Sequence, residues 1–422
     1  MHRIKNYSDL AHSPAHRDAL DIIESGLAAI DTRAIIQKNI RLEGDTLHIG
    51  YRSYSLSEYR HVHVIGFGKA SYQAATALEN ILGSRIHSGI ALTGTGGDTA
   101  SCAIITLYES SHPLPSSDNV TGTKALIAEC ETITADDLVL VLVSGGGSAM
   151  LCWPATECDQ GIQLYRAANK KGLTVHELNT VRKHISALKG GGLAKLLHPA
   201  RVVGIIFSDV PGDMPELVAS GPTYPDTTTI ADAQRIIEKF DLGDYQLSET
   251  PKEAMWFEHV DNFVIVSNET ALSAMAATAE RLGYATDIIA ANIYDEPEHL
   301  AHRFLERAKK HSVILGGGEP RLTIANPQGV GGRNQHVALV MAAHIFQNQL
   351  FASIASDGID NGASAGALVD SSTNTRAQAA GIDVALEVHR FNDQPVLEAS
   401  GNLVITGPTG ANVSDLMMLL VS

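Results

Sequence analysis

The chain has 422 residues, with 31 basic against 47 acidic side chains and a formal charge of −16 at neutral pH. That length exceeds one ordinary core and predicts two or three domains, and the acidic balance excludes a general nucleic-acid partner, so any anion must be met by a local cluster of donors. A hydrophobic fraction of 44% describes a folded globular chain; no apolar run approaches the roughly 18 residues of a membrane span, and MHRIKNYSDLAHSPAHRDAL lacks a secretory apolar segment, so the expected compartment is the cytoplasm with no membrane partner.

Four cysteines, Cys102, Cys130, Cys152 and Cys158, show no C-x-x-C spacing and predict neither a structural zinc site nor a disulfide framework. The stretch DALDIIESGLAAIDTRAIIQKNI reads as one or two amphipathic helices leading into the larger domain. Short β-branched runs then alternate with helical patterns: HVHVIGF, GIALTG, AIITLYE, LVLVLVS, RVVGIIFSDV, NFVIVS, ATDIIAA, SVILGGG and FASIASDG. Continuous apolar strands between helices predict an α/β fold with parallel sheets covered on both faces. The polar stretch DLGDYQLSETPKEAMWFEHV separates two such series and places the domains at 1–250 and 251–422.

The first glycine turn, VHVIGFGKAS, carries Lys69 at a strand end. A Walker loop would need glycine five positions before its Gly-Lys pair and Ser or Thr after the lysine, where the chain has His63 and Ala70. A dinucleotide fingerprint would need a third glycine where Ser71 stands, which weakens that reading. His112, in SSHPLPSSD, is a histidine in a turn-rich segment. Next, VLVLVSGGGSAML runs from an apolar strand into Ser144, Gly145, Gly146, Gly147 and Ser148, a cradle whose backbone N–H groups and helix start would hold phosphate or carboxylate.

In LNTVRKHISALKGGGLAK, helical spacing sets Asn179, Arg182 and Ser186 on one side and Leu178, Val181, Ile185 and Leu188 on an apolar stripe. Arg182 could then grip a carboxylate with both nitrogens, and Lys189 would add a second charge. SDVPGDMPELVASGPTYPD displays Asp209 and Asp213 beyond a strand, as oxygen ligands for Mg²⁺ or as a proton acceptor. In the second half, GVGGRNQHVALVMAAHI sets Arg333 at a helix start, a macrodipole cost of about 0.3–1 kcal/mol that an anion would offset. ASDGIDNGASAGALVD adds Asp357 and Asp360 as further metal candidates, and GPTGANVSDL closes the set with Asn412 and Asp415.

Taken in order, SGGGSAML, NTVRKHISALKGGGLAK, SDVPGDMPELVASGPTYPD, GGRNQ, SDGIDN and GPTGANVSDL resemble the two-domain glycerate kinases of the MOFRL type over nearly the whole chain. The resemblance implies a large Rossmann-like N-terminal domain with a mostly parallel sheet, a smaller C-terminal α/β domain and an active site in the cleft between them. It also implies ATP-dependent phosphorylation of D-glycerate, commonly to 2-phosphoglycerate, with Mg²⁺. Lys69 and Arg333 occupy the positions that the family holds important for its site. Three residues depart from the pattern: His336 stands for a glutamate, Asn361 for a glycine and Ser116 for an aspartate. The alternatives are an NAD(P)H-dependent hydroxypyruvate reductase and a non-catalytic module binding a sugar acid or nucleotide.

Overall fold

The computed structural model describes residues 2–94, 102–210, 212, 214–323 and 329–422. A small antiparallel meander, Ile40–Glu43, Thr46–Ile49 and Arg52–Ser55, precedes the first large sheet. That sheet is built from β1 (Val62–Phe67), β2 (Ser88–Gly94), β3 (Ile105–Ser110), β4 (Leu138–Ser144), β5 (Arg201–Phe207) and β6 (Val260–Val266). Its order is β3-β2-β1-β4-β5-β6, and every pairing among the first five strands is parallel.

Every residue of β1 and β4 is buried, which is why their sequences read as unbroken apolar runs. Each Val, Leu or Ile enclosed there contributes about 1.5–3 kcal/mol relative to exposure. The strand order is that of the dinucleotide-binding α/β folds, and it reverses direction between β1 and β4. Ligands of such sheets bind beyond the carboxyl ends of the strands at that reversal. The turns at Gly68-Lys69 and at Ser144–Ser148 follow these two strands.

The second sheet holds β7 (Ala285–Ile293), β8 (Ser312–Gly318), β9 (Gln349–Ala355), β10 (Gly366–Asp370), β11 (Leu403–Val404) and β12 (Asp415–Val421), in the order β7-β8-β12-β9-β10-β11. Only β7 and β8 run parallel here. The expectation of parallel sheets thus holds for the first sheet and not for the second. One cause is β12: the run DLMMLLV, absent from the expected strands, is buried along its whole length and lies antiparallel between β8 and β9, while β9, β10 and β11 also pair antiparallel among themselves.

Five helices position the residues discussed below: α1 (Pro14–Ala29), α2 (Ser71–Leu82), α3 (Val175–His184), α4 (Asn268–Arg281) and α5 (Arg333–Ala342). The chain divides into two compact units, one comprising Thr32–Val210 with Met214–Ile265 and the other joining the segment up to Asp31 to Val266–Ser422. A single cut at residue 250 does not reproduce this division. The polar linker read at 241–260 leads into β6, which completes the first sheet. Helix α1, expected to lead into the first domain, belongs to the second unit. It lies so close to α4 that a methyl on Gly26 would fall 2.7 Å from Met275 Cγ, and the Ser25 hydroxyl donates to the Ala274 carbonyl at 3.2 Å. Its stripe of Leu20, Ile23 and Leu27 announced that the helix is covered, but amphipathicity does not name the covering partner.

Candidate active site

At the end of β1, Gly68 takes φ +114°, and a Cβ there would meet Ser144 Oγ at 2.3 Å and its carbonyl oxygen at 2.4 Å. Only glycine allows that approach and that backbone angle together. The Lys69 amide donates to the Gly145 carbonyl at 2.8 Å, the Ala70 amide to Ser144 Oγ at 3.1 Å and the Ser71 amide to the Gly68 carbonyl at 3.1 Å. The Ser144 side chain therefore braces the first turn, and the amides that open α2 are already bonded. A dinucleotide pyrophosphate needs such amides free.

Gly146 sits between Lys69 and His112, since a Cβ on it would lie 3.2 Å from Lys69 Cγ and 3.1 Å from His112 Cδ2. The amides of Gly146, Gly147 and Ser148 donate to no acceptor among the described residues. The helix after them is one turn long, Gly147–Met150, so the expected help from a helix dipole is small. What remains is a row of open backbone donors beside a lysine, the arrangement that receives an anion. Asp209 closes the other side: a methyl on Gly145 would fall 1.8 Å from its Oδ2. Asp213, its expected companion, lies outside the described residues.

Two features supporting this loop escaped the sequence reading. Ala219 and Ser220 both adopt left-handed backbone, φ 50° and 62°, a conformation costing on the order of 1–3 kcal/mol per non-glycine residue. That turn is held by Gly190 and Gly191, whose amides donate to the Ser220 and Gly221 carbonyls at 2.9 Å each, and Ser220 Oγ lies 2.9 Å from Ser148 Oγ. The second feature is Asn119, fully buried. Its Nδ2 donates to the Ser111 carbonyl at 2.9 Å and to the Ala149 carbonyl at 2.8 Å, tying the His112 segment to the glycine loop. Ser116, where an aspartate was expected, accepts from the Asp118 amide at 3.3 Å as the cap of the following helix.

Helix α3 stops at His184, so Ser186 and Lys189 do not continue its face. Asn179 is buried and its Oδ1 accepts from Ser220 Oγ at 2.6 Å, which joins it to Ser148 through one hydroxyl. Lys189 is fully buried, pairs with Glu157 and donates to the Leu151 carbonyl at 2.7 Å. Lys189 is therefore a correction: its charge is consumed inside the fold rather than offered to a ligand. Arg182 differs, having no hydrogen bond or ion pair among the described residues. Loss of hydration pushes it down to about 10, only partly offset by Tyr165 and Glu157, and it stays charged at neutral pH.

In the second unit Arg333 opens α5. Its Nε donates to Asp415 Oδ2 at 2.6 Å, and its Nη2 lies 3.6 Å from Glu319 Oε1. Burial alone would lower its pKa, but Asp415 and Glu319 outweigh that and hold it above the ordinary value. The anion expected to compensate an arginine at a helix start is thus supplied by the chain. Asp415 is nearly sealed from solvent and also accepts from Asn334 Nδ2 at 2.9 Å. Asp360 is a second correction. Its oxygens accept from the Asn334 and Gln335 amides at 3.0 and 2.8 Å, so the carboxylate caps α5 and is engaged by the chain rather than displayed freely beyond a strand. Burial pushes this carboxyl up to about 6 despite those bonds.

Asp357 is half-buried and accepts from the Ile359 amide at 3.0 Å. An open pocket of about 370 Å³ lies beside Arg333, lined in part by Gly331, Gly332, Asn361 and Asp393. Asn361 has φ 55°, the left-handed conformation that asparagine tolerates in place of glycine. His336 is buried, stacks on Phe391 and faces Asp393 with Nδ1 at 3.0 Å, so any charge it gains is met locally.

Residues 18–255 match the family described as "Domain of unknown function (DUF4147)", and residues 312–415 match the MOFRL family. A glycerate 2-kinase of Pyrococcus horikoshii is 33% identical over 96% of this chain and 98% of its own. A protein of Agrobacterium vitis provisionally named hydroxypyruvate reductase is 35% identical over 85% of this chain and 98% of its own. The crystal structure of a glycerate kinase from Thermotoga maritima superposes with a TM-score of 0.81 at 29% identity, covering 96% of this chain and 99% of that one. Among the described residues no helix is long and apolar enough to cross a membrane.

Proposed function

The chain belongs to the family defined by the DUF4147 and MOFRL domains, and we propose on that premise that it is an ATP-dependent kinase of D-glycerate, giving 2-phosphoglycerate. The observation that carries this reading is the row of open amides at Gly146, Gly147 and Ser148 beside the Lys69 stem, at the reversal point of the first sheet. Phosphoryl transfer requires charge stabilisation and positioning more than covalent chemistry from the protein. In this reading the amides and the Lys69 ammonium surround the oxygens of the moving phosphoryl group, where fixed donors in a dry site are worth most. Arg182, charged and without a hydrogen-bond or ion-pair partner among the described residues, is the group assigned to the glycerate carboxylate. Asn179 and Ser220 fix Ser148 rather than touching substrate.

Of the proposed metal ligands, Asp209 fits Mg²⁺ best, because it stands at the glycine loop, and Mg²⁺ takes one or two carboxylates alongside substrate phosphates. Bound there, Mg²⁺ would neutralise phosphate charge. Asp357 remains as a second candidate, and Asp360, already engaged in capping α5, as a third. ADP release with D-glycerate, read through a coupled assay, tests the activity, and NMR of the product assigns the phosphorylated hydroxyl. A pure protein that releases no ADP above its glycerate-free background would overturn the reading.

The reductase reading is favoured by the strand order and by the provisional name of the Agrobacterium vitis relative. Against it stands the first turn, whose amides are bonded and whose Gly68 approach is filled by Ser144. No consumption of reduced nicotinamide is expected with hydroxypyruvate.

Two variants probe the assignments. Gly145→Ala displaces the Asp209 carboxylate by direct overlap, so turnover should fall at least about tenfold, ~1.4 kcal/mol in the barrier, while the urea midpoint hardly moves; unchanged turnover would remove Asp209 from the site. Arg182→Met should raise KM for D-glycerate about 10–100-fold, the worth of a charged hydrogen-bond pair at 1.5–3 kcal/mol, with kcat little altered. A rise confined to KM for ATP would reassign Arg182 to the nucleotide.

A further inference from the structure

At the opposite, amino-terminal ends of β1 and β4 lies a group of side chains that phosphoryl transfer does not use. His61 immediately precedes β1 and His63 is the second residue of that strand, and their rings lie edge to face with centroids 6.0 Å apart. Asp137 immediately precedes β4, whose Leu138 is the lateral partner of Val62. The donor atoms of His61, His63 and Asp137 all lie within 4.8 Å of one another, and His61 Nδ1 is 3.4 Å from Asp137 Oδ1. β1 spans six residues, so this group stands roughly 20 Å from the Gly68-Lys69 turn.

The hydrogen bonds leave the facing lone pairs open. His63 Nδ1 is 3.0 Å from both Glu129 Oε1 and Ser88 Oγ, which orients the ring with Nε2 toward Asp137. Asp137 Oδ2 accepts from the Thr134 amide and hydroxyl at 2.8 Å each. His63 Nε2 and Asp137 Oδ1 are then buried atoms with no hydrogen-bond partner, on side chains only 3% and 2% exposed. Orphaned buried polar atoms are costly, on the order of 1–3 kcal/mol each. Two of them on neighbouring side chains, beside His61 as a third donor, would be satisfied by a common partner.

We propose that His61, His63 and Asp137 bind a divalent transition-metal ion of the Zn²⁺ class, with Glu129 holding His63 in the ligating tautomer. Tetrahedral Zn²⁺ with ligands at about 2.0–2.2 Å sets its donors roughly 3.3–3.6 Å apart, a spacing that His61 Nδ1 and Asp137 Oδ1 already have, while the three ligand atoms together lie within 4.8 Å and would draw in around an ion. Carboxylate beside Glu129-oriented imidazole is the arrangement of a ligand with its supporting shell. Imidazole donors select this class over Mg²⁺, so the site is distinct from any Mg²⁺ held with ATP. His61, with 30% of its side chain exposed, leaves a path from solvent, and His87 stacks on its ring with centroids 3.8 Å apart.

The test is a Co²⁺ titration of the full chain, stripped with chelator and kept in excess Mg²⁺, followed by visible absorption and by Zn²⁺ competition. One Co²⁺ per chain with tetrahedral bands, displaced by Zn²⁺, is expected, together with a Zn²⁺-dependent rise in melting temperature. Glu129→Gln should weaken affinity about 10–100-fold and His61→Ala by more than that. His61→Ala alters a partly exposed residue, so its fold can be checked independently by urea unfolding. Absence of saturable binding by the wild-type chain overturns the proposal. So does equal binding by wild type, His61→Ala and Asp137→Asn, which would locate the ion at other histidines.

Discussion

Lys69→Ala lowers kcat/KM for D-glycerate by about a hundredfold or more, corresponding to ~3 kcal/mol of transition-state stabilisation, without unfolding the protein. The two halves of this expectation come from different atoms of one residue. The Lys69 amide, which donates to Gly145, belongs to the backbone and survives any side-chain change. The side chain is partly exposed, and its Cγ runs alongside Gly146, so the lysine stem stands beside the open amides of the loop, where an anion would meet both. Because the side chain is partly exposed, the urea midpoint should correspond to a stability change of no more than about 1 kcal/mol. Lys69→Arg separates charge from shape: a guanidinium keeps the charge but is planar and longer, so partial activity is expected. Activity of Lys69→Ala within threefold of wild type, by ADP release at saturating ATP, would remove the lysine from the mechanism.

How much of this was legible follows from which interactions are local. Parallel strands buried on both faces leave an unbroken apolar run, and a glycine at a strand end marks a tight turn, so β1, β4 and both glycine loops are visible in the sequence. Ionic partners are not. Lys189 reads as a free cation because Glu157 is 32 residues away, and Arg333 reads as an uncompensated one because Asp415 is 82 residues away. The same distance blindness assigned α1 to the wrong unit. Ser220 is harder still, since its left-handed backbone is imposed by Gly190 and Gly191, and no composition rule marks a serine for that conformation. The metal-class cluster depended on adjacent strands bringing residues 61 and 137 side by side, a register that only the pairing reveals.

Arg333 requires a design that separates structure from chemistry, because its carboxylate partner is buried. Removing the guanidinium in Arg333→Met leaves Asp415 with Asn334 as its remaining hydrogen-bond donor, and breaking a buried pair in this way costs about 3–5 kcal/mol. A loss of activity in that variant alone would therefore say little about phosphoryl transfer. Asp415→Asn removes the stranded charge while keeping an oxygen for Asn334. The double variant Arg333→Met with Asp415→Asn should accordingly recover stability, with a coupling of at least about 2 kcal/mol in the double-mutant cycle by urea unfolding. If Arg333 acts on the transferring group, the stable double variant stays about a hundredfold or more below wild type in turnover. Recovery of turnover along with stability would show instead that the Arg333–Asp415 pair is a fastener for the start of α5, and would leave Lys69 and the open amides as the main source of charge stabilisation.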